Sequence, residues 1–155
     1  SPVPKVKDVA FRGNLHKAYI GNKRAEFISK CEHIFSGLST EIFSSENGEY
    51  FLEPLEYKKW MSEFKFVLNT ESAMGIVNPK FTEAMSLDVI NVCPPGYYEG
   101  LLKEGIHYIT PERALELACS RQKYLNFLKD YKSHSKEYLD RYDYKKTLDE
   151  ICSKR

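Results

Sequence analysis

No apolar run in this sequence approaches the roughly 18 residues a membrane-spanning helix needs, and no signal peptide is visible. An excess of charge of one sign is also missing. A net charge of +1 gives no global reason to expect nucleic acid. Cysteines at C-x-x-C spacing are absent: Cys31, Cys93, Cys119 and Cys152 are scattered, which argues against a zinc site. Isolated thiols of this kind suit a reducing interior such as the cytoplasm, and two fall in apolar contexts where a free Cys packs as a small core residue. Internal repeats are missing too.

What is present fits one domain of 155 residues, long enough for a sheet with helices on both faces. Its 42% hydrophobic and 29% charged residues are ordinary for a soluble globular protein. Charge is uneven along the chain. Residues 121–155 hold ten Lys/Arg against six Asp/Glu, leaving thirteen against sixteen elsewhere. Because acids are interleaved throughout that tail, it reads as a solvated helix face rather than a phosphate-binding patch. The chain starts Ser-Pro rather than Met, so a domain of a longer polypeptide is one reading.

The most informative stretch is Lys65–Ile90. The apolar run Phe64–Leu68 reads as a buried strand. A polar loop, Asn69–Asn78, follows, and Pro79 opens a short helix carrying Lys80, Phe81, Glu83, Ala84 and Met85. A second strand, Val89–Cys93, ends at Pro94-Pro95-Gly96. In an open α/β sheet ligands bind off the carboxyl ends of strands, so a site is expected here.

On either side the same alternation continues. Ser1–Lys7 is a lead-in, Val6–Phe11 a strand, and Arg12-Gly13-Asn14 a tight turn. Asn22 caps a helix from about Lys23 to Phe35, with Ala25, Ile28, Cys31 (or Glu32) and Phe35 on one stripe, and Gly37 ends it. Ile42–Phe43 is a short strand. Pro54 begins a helix anchored by Leu55, Trp60 and Met61. Gly96–Lys103 is expected to be helical and Ile106–Ile109 a strand. Pro111 opens a helical region covering 111–155, with a break near Tyr142 and an apolar face of Leu115, Ala118, Cys119, Leu125 and Leu128. The expected fold is α/β, a Rossmann-like doubly wound parallel sheet with a helical C-terminal extension, in a single domain 1–155.

Proteins hold diphosphates with N–H groups at a helix start and with Lys or Arg, and Lys80, in the first turn after Pro79, is placed for that. Glu83 lies one turn on and shares its face, where a plain salt bridge is the alternative. His107 reads as a hydrogen-bonded structural histidine. His16, His33 and His134 fall in no constellation. Gly13, Gly75 and Asn78 either let backbone approach a ligand or serve as ordinary turn residues.

The central stretch resembles the nucleotide-sugar-binding half of a GT-B glycosyltransferase. It is most similar to the group 1 glycosyl transferase domains, which run aromatic–x–Leu-Asn, polar loop, Arg/Lys-x-x-Glu-Ala-Met, strand. The matching residues are Phe66–Asn69, Lys80, Glu83-Ala84-Met85 and Val89–Val92. Leu55-Glu56-Tyr57 resembles the segment preceding the donor-site strand. A second, weaker similarity is to the α1,3-fucosyltransferases, through Lys65–Leu68 and Thr82-Glu83, although the order of the charged pair differs. The resemblance runs loosely from Val6 to Ile151, but only about 26 residues are distinctive.

The resemblance implies a domain that binds a nucleotide-diphospho-sugar for transfer to an acceptor hydroxyl, with the donor as substrate and no separate cofactor. It implies that Glu83 accepts hydrogen bonds from ribose or sugar hydroxyls, that Arg24 binds phosphate (with Arg12 competing for the role), and that Glu71 and Asn78 line the pocket. Retaining members carry a Glu where this chain has Gly75, which leaves the stereochemistry of transfer open. Asp-x-Asp is absent, which disfavours the metal-dependent GT-A class and implies no metal site. Diphosphate departure needs cations or N–H groups, and an inverting enzyme needs a base on the acceptor. In GT-B enzymes that base comes mainly from an N-terminal half, so a further acceptor domain or partner chain is expected and the catalytic residues are unassigned. The alternative is a non-catalytic scaffold module on the same fold.

Overall fold

Burial alternates along the strands, and that alternation sets the layers. The computed structural model describes residues 5–15, 23–44, 52–70, 77, 79–96, 98–142 and 152. Strand β1 is Lys7–Gly13, β2 Thr40–Ser44, β3 Phe64–Leu68 and β4 Ile90–Val92. All pair in parallel, in the order β2-β1-β3-β4. Val9 faces Thr40 on one side and Phe66 on the other, and Phe66 in turn faces Ile90. Since side chains of a strand alternate between faces, Val9, Phe11, Phe66, Leu68, Ile90 and Val92 join one core while Ala10 and Val67 join another.

Helix α1 (Lys23–Ile34) buries Phe27, Ile28 and Cys31 in the larger core, and α2 (Pro54–Met61) puts Met61 into the smaller one. The sheet is therefore covered on both faces, as its apolar strands require. Helix α3 (Pro79–Ser86) contributes Phe81 and Met85 to the larger core and Ala84 to the smaller. Two C-terminal helices, α4 (Pro111–Ala118) and α5 (Arg121–Tyr142), complete the larger core. The architecture is the expected Rossmann-like, doubly wound α/β fold with a helical C-terminal extension. Among the described residues no helix is long and apolar enough to cross a membrane.

Several local expectations change. β1 runs on to Gly13, because Arg12 and Gly13 pair with Phe43 and Ser44 of β2 rather than turning. In α1 the buried stripe is Phe27, Ile28 and Cys31, followed by Phe35, and Ala25 is only half-buried. Leu55 is 82% exposed, not an anchor. The inward stripe of α2 is Tyr57, Trp60 and Met61, spaced three and four residues apart, and Leu55 falls off it. Asn22, the expected cap of α1, lies outside the described residues.

Gly96–Lys103 is not a helix. Among its described residues a 3₁₀ turn, Tyr98–Gly100, forms instead, with positive φ at Tyr98 (45°), Glu99 (53°) and Gly100 (70°). Such backbone is costly for Tyr and Glu and persists where surroundings over-determine it. Here the Tyr98 ring is fully buried, 5.5 Å from Phe81 and 4.9 Å from Tyr108, and its hydroxyl donates to Pro94 O. Residues 106–109 likewise form no full strand; they make two isolated bridges, Val92 to Ile109, which extends the sheet beyond β4, and Glu104 to Tyr108. The C-terminal helix is divided at Cys119-Ser120, where the Ser120 hydroxyl accepts from Lys123 N (3.3 Å) and caps a fresh helix start. That break resets the phase, so Tyr124, Tyr131, Ser135 and Tyr138 face inward while Cys119 and Leu125 are exposed.

A buried polar cluster ties α5 to the sheet. Tyr131 Oη donates to Val89 O (2.7 Å) and accepts from Asn91 N (3.2 Å) and Asn91 Nδ2 (3.1 Å). Asn91 Nδ2 also donates to Phe81 O (3.2 Å), and Asn91 Oδ1 accepts from Asn69 Nδ2 (2.6 Å). Because each of these polar side chains finds partners, the cluster avoids the penalty of unpaired burial and fixes α5, α3 and the end of β3 relative to β4.

Candidate ligand site at the strand ends

The strand order puts a topological switch point between β1 and β3. From β1 the chain crosses to β2 at one edge, then returns past β1 to β3 and β4 on the other side. Such a reversal separates the loops at the carboxyl ends of the two central strands and leaves room between them for a ligand. Asn14 follows β1, Thr70 follows β3, and α3 begins at Pro79 after the loop from β3.

Two cations reach into this junction from different helices. Arg24, in the first turn of α1, donates from Nε to Thr70 Oγ1 (2.9 Å) and from Nη1 to Asn14 O (3.1 Å). It bridges the ends of β1 and β3. Lys80, in the first turn of α3, donates to Arg12 O on β1 (2.9 Å). A Cβ at Gly13 would press on the Phe11 ring at 3.0 Å but would only touch Lys80 Nζ, at 3.5 Å, so it is the packing of Phe11 that favours glycine there.

Burial lowers the pKa of both groups, and for Lys80 the Arg24 charge adds to the lowering while Glu83 opposes it. Among the described residues Arg24 makes no ion pair; its hydrogen-bond partners are a hydroxyl and a carbonyl. Arg24 is thus a half-buried guanidinium whose partners among the described residues are all neutral, a positive charge that an anion would offset.

Glu83 is half-buried on the Lys80 face of α3, and its charge raises the pKa of both Lys80 and Tyr57. The Lys80 ammonium also lies 5.8 Å from the Tyr57 ring centre. Arg12, the competitor for the phosphate role, behaves differently. Its guanidinium lies over the rings of Phe43 (4.2 Å) and Trp60 (4.5 Å). Of the five candidate residues, Arg24, Lys80 and Glu83 meet at one place, whereas Glu71 and Asn78 lie outside the described residues.

Sequence reasoning did not single out Thr70, Asn14 as an acceptor, or Tyr57 as a wall of the site. Each is brought there by contacts across long stretches of chain, and only the place of Thr70 and Asn14 just past apolar strands could have marked them. His107 accepts at Nδ1 from Lys103 N (3.0 Å), the structural hydrogen bond expected of it. Comparison with known proteins finds no family model that matches the chain and no curated protein that matches it.

Proposed function

We propose that this chain is the donor-binding domain of a metal-independent, GT-B-type glycosyltransferase and holds the diphosphate of a nucleotide sugar at the strand-end crevice. The observation that carries the reading is the convergence of Arg24 and Lys80 on the carboxyl ends of β1 and β3, with the arginine bonded, among the described residues, to neutral acceptors. In that role Arg24 and Lys80 take up negative charge as the diphosphate leaves the anomeric carbon. Glu83, on the same helix face as Lys80, accepts hydrogen bonds from ribose or sugar hydroxyls. Glu71 and Asn78 belong to the segment between β3 and α3 and are assigned to the pocket by the sequence resemblance alone. The acceptor and its base come from a further domain or a partner chain, so the domain binds donor without turning it over by itself.

The test is isothermal titration of the chain with UDP, GDP and the corresponding sugar nucleotides. Saturable binding by one nucleotide is expected, weakened by about 1–3 kcal/mol in both Lys80→Met and Arg24→Gln, the usual worth of a hydrogen bond to a charged group. Met preserves the lysine stem and so separates loss of charge from loss of packing. Affinity unaltered in both variants removes the crevice from the reading. Absence of binding by every nucleotide, repeated on a longer natural polypeptide, removes the donor-domain reading itself.

A further inference from the structure

A second cavity lies between segment 100–107 and the last turns of α5. Its volume is about 350 Å³, and it is lined among others by Lys103, His107, His134, Tyr138, Arg141 and Tyr142. None of its lining residues belongs to the strand-end crevice. We propose that this cavity binds a phosphate monoester of a small ring compound.

Charge points to an anion. Two permanent cations and two histidines surround the space, against one carboxylate, Glu137. Among the described residues, Lys103, His134 and Arg141 form no ion pair with a carboxylate. The crowding is felt by His107, whose pKa falls below the ordinary value through burial, then through His134 and Lys103, with Glu137 opposing. A phosphate in the cavity would offset that repulsion.

Hydrogen-bond chemistry points the same way. Because His107 Nδ1 accepts from Lys103 N (3.0 Å), the neutral ring carries its proton on Nε2 and offers an N–H donor without becoming charged. Lys103 and Arg141 add ammonium and guanidinium donors, the latter suited to two phosphate oxygens at once.

The ring component follows from the walls. His107 and Tyr138 lie 5.4 Å apart and Tyr138 and Tyr142 4.8 Å apart, forming an aromatic lining against which a planar ring can pack. The volume stands at the lower end of small-molecule sites, which suits one ring and one phosphate.

Phenyl phosphate is the probe, titrated into the whole chain while the histidine C2–H resonances are followed by NMR. Saturable shifts of His107 and His134, with His33 unmoved, are expected. The double variant Lys103→Gln/Arg141→Gln should bind at least about fivefold more weakly. Lys103→Arg/Arg141→Lys should retain binding, which separates charge from fold. Lys80→Met should bind phenyl phosphate as the unmodified chain does, so this result is independent of the nucleotide-sugar reading. Absence of saturable shifts overturns the proposal. So does loss of binding in Lys80→Met with retention in the Gln pair, which would place the phosphate in the strand-end crevice instead.

Discussion

Replacing Tyr131 by Phe deletes one hydroxyl from the middle of the fold while keeping the ring that fills the space. The hydroxyl donates to Val89 O and accepts from both nitrogens of Asn91, and Tyr131 is 1% exposed. No water can replace it without opening the core. The retained ring leaves little cavity, so the cost lies in the hydrogen bonds. A buried group left without its partner costs about 1–3 kcal/mol, and Asn91 Nδ2 keeps Phe81 O as a second acceptor, which softens the loss. The sum is about 2–4 kcal/mol.

For a domain of this size that corresponds to a fall in Tm of about 5–15 °C. Urea unfolding should show a lower midpoint with an unchanged slope, because the surface exposed on unfolding is the same. Tyr142→Phe, on an exposed tyrosine of the same helix, should stay within about 0.5 kcal/mol. A double-mutant cycle with Asn91→Ala should return a coupling energy of about 0.5–3 kcal/mol. A Tyr131→Phe protein as stable as its parent would refute the idea that this cluster pins α5 to the sheet.

Two further outcomes are expected from burial. Burial raises the Tyr124 phenol to about 12 from an ordinary value of 10.0, and the Tyr57 and Tyr131 phenols are also raised. At these phenols the folded chain holds protons that the unfolded chain releases, so their contribution to stability is full below pH about 10 and falls as pH rises towards about 12. Denaturation across that range should show the decline, and Tyr124→Phe should flatten it; a slope unchanged by that variant would remove Tyr124 as a cause. Native thiol titration with a disulfide reagent should give two fast groups, the exposed Cys119 and Cys152, while the buried Cys31, whose thiol is pushed up to about 12, and Cys93 react only on unfolding. Modification of Cys31 as fast as Cys119 would contradict its packing.

Much of the fold was legible in the order of residues. Phe64–Leu68 and Pro79–Ser86 stand where the apolar run and the helix-opening proline placed them, because both signals are local. Legibility failed where distant contacts override local preference. Tyr98 and Glu99 adopt positive φ, against every propensity, because the Tyr98 ring is held among Phe81 and Tyr108. Leu55 looks like core by composition, yet the phase of α2 is set by Tyr57, Trp60 and Met61 against the sheet. In the C-terminal helices Leu115, Ala118 and Leu128 pack against the core as read, but Tyr124, Tyr131 and Tyr138, placed inward by tertiary contacts, carry the buried face of α5.

The sequence by itself determined the alternation of strands and helices, the parallel α/β class and the presence of cations at helix starts, since periodicity, capping and proline placement act over a few residues. Only the tertiary structure decided which cations meet. Arg24 reaches Thr70 across 46 residues and Lys80 reaches Arg12 across 68, distances along the chain that no local pattern encodes. It is the order β2-β1-β3-β4, a packing outcome of the whole chain, that brings the ends of β1 and β3 together and makes one site of them.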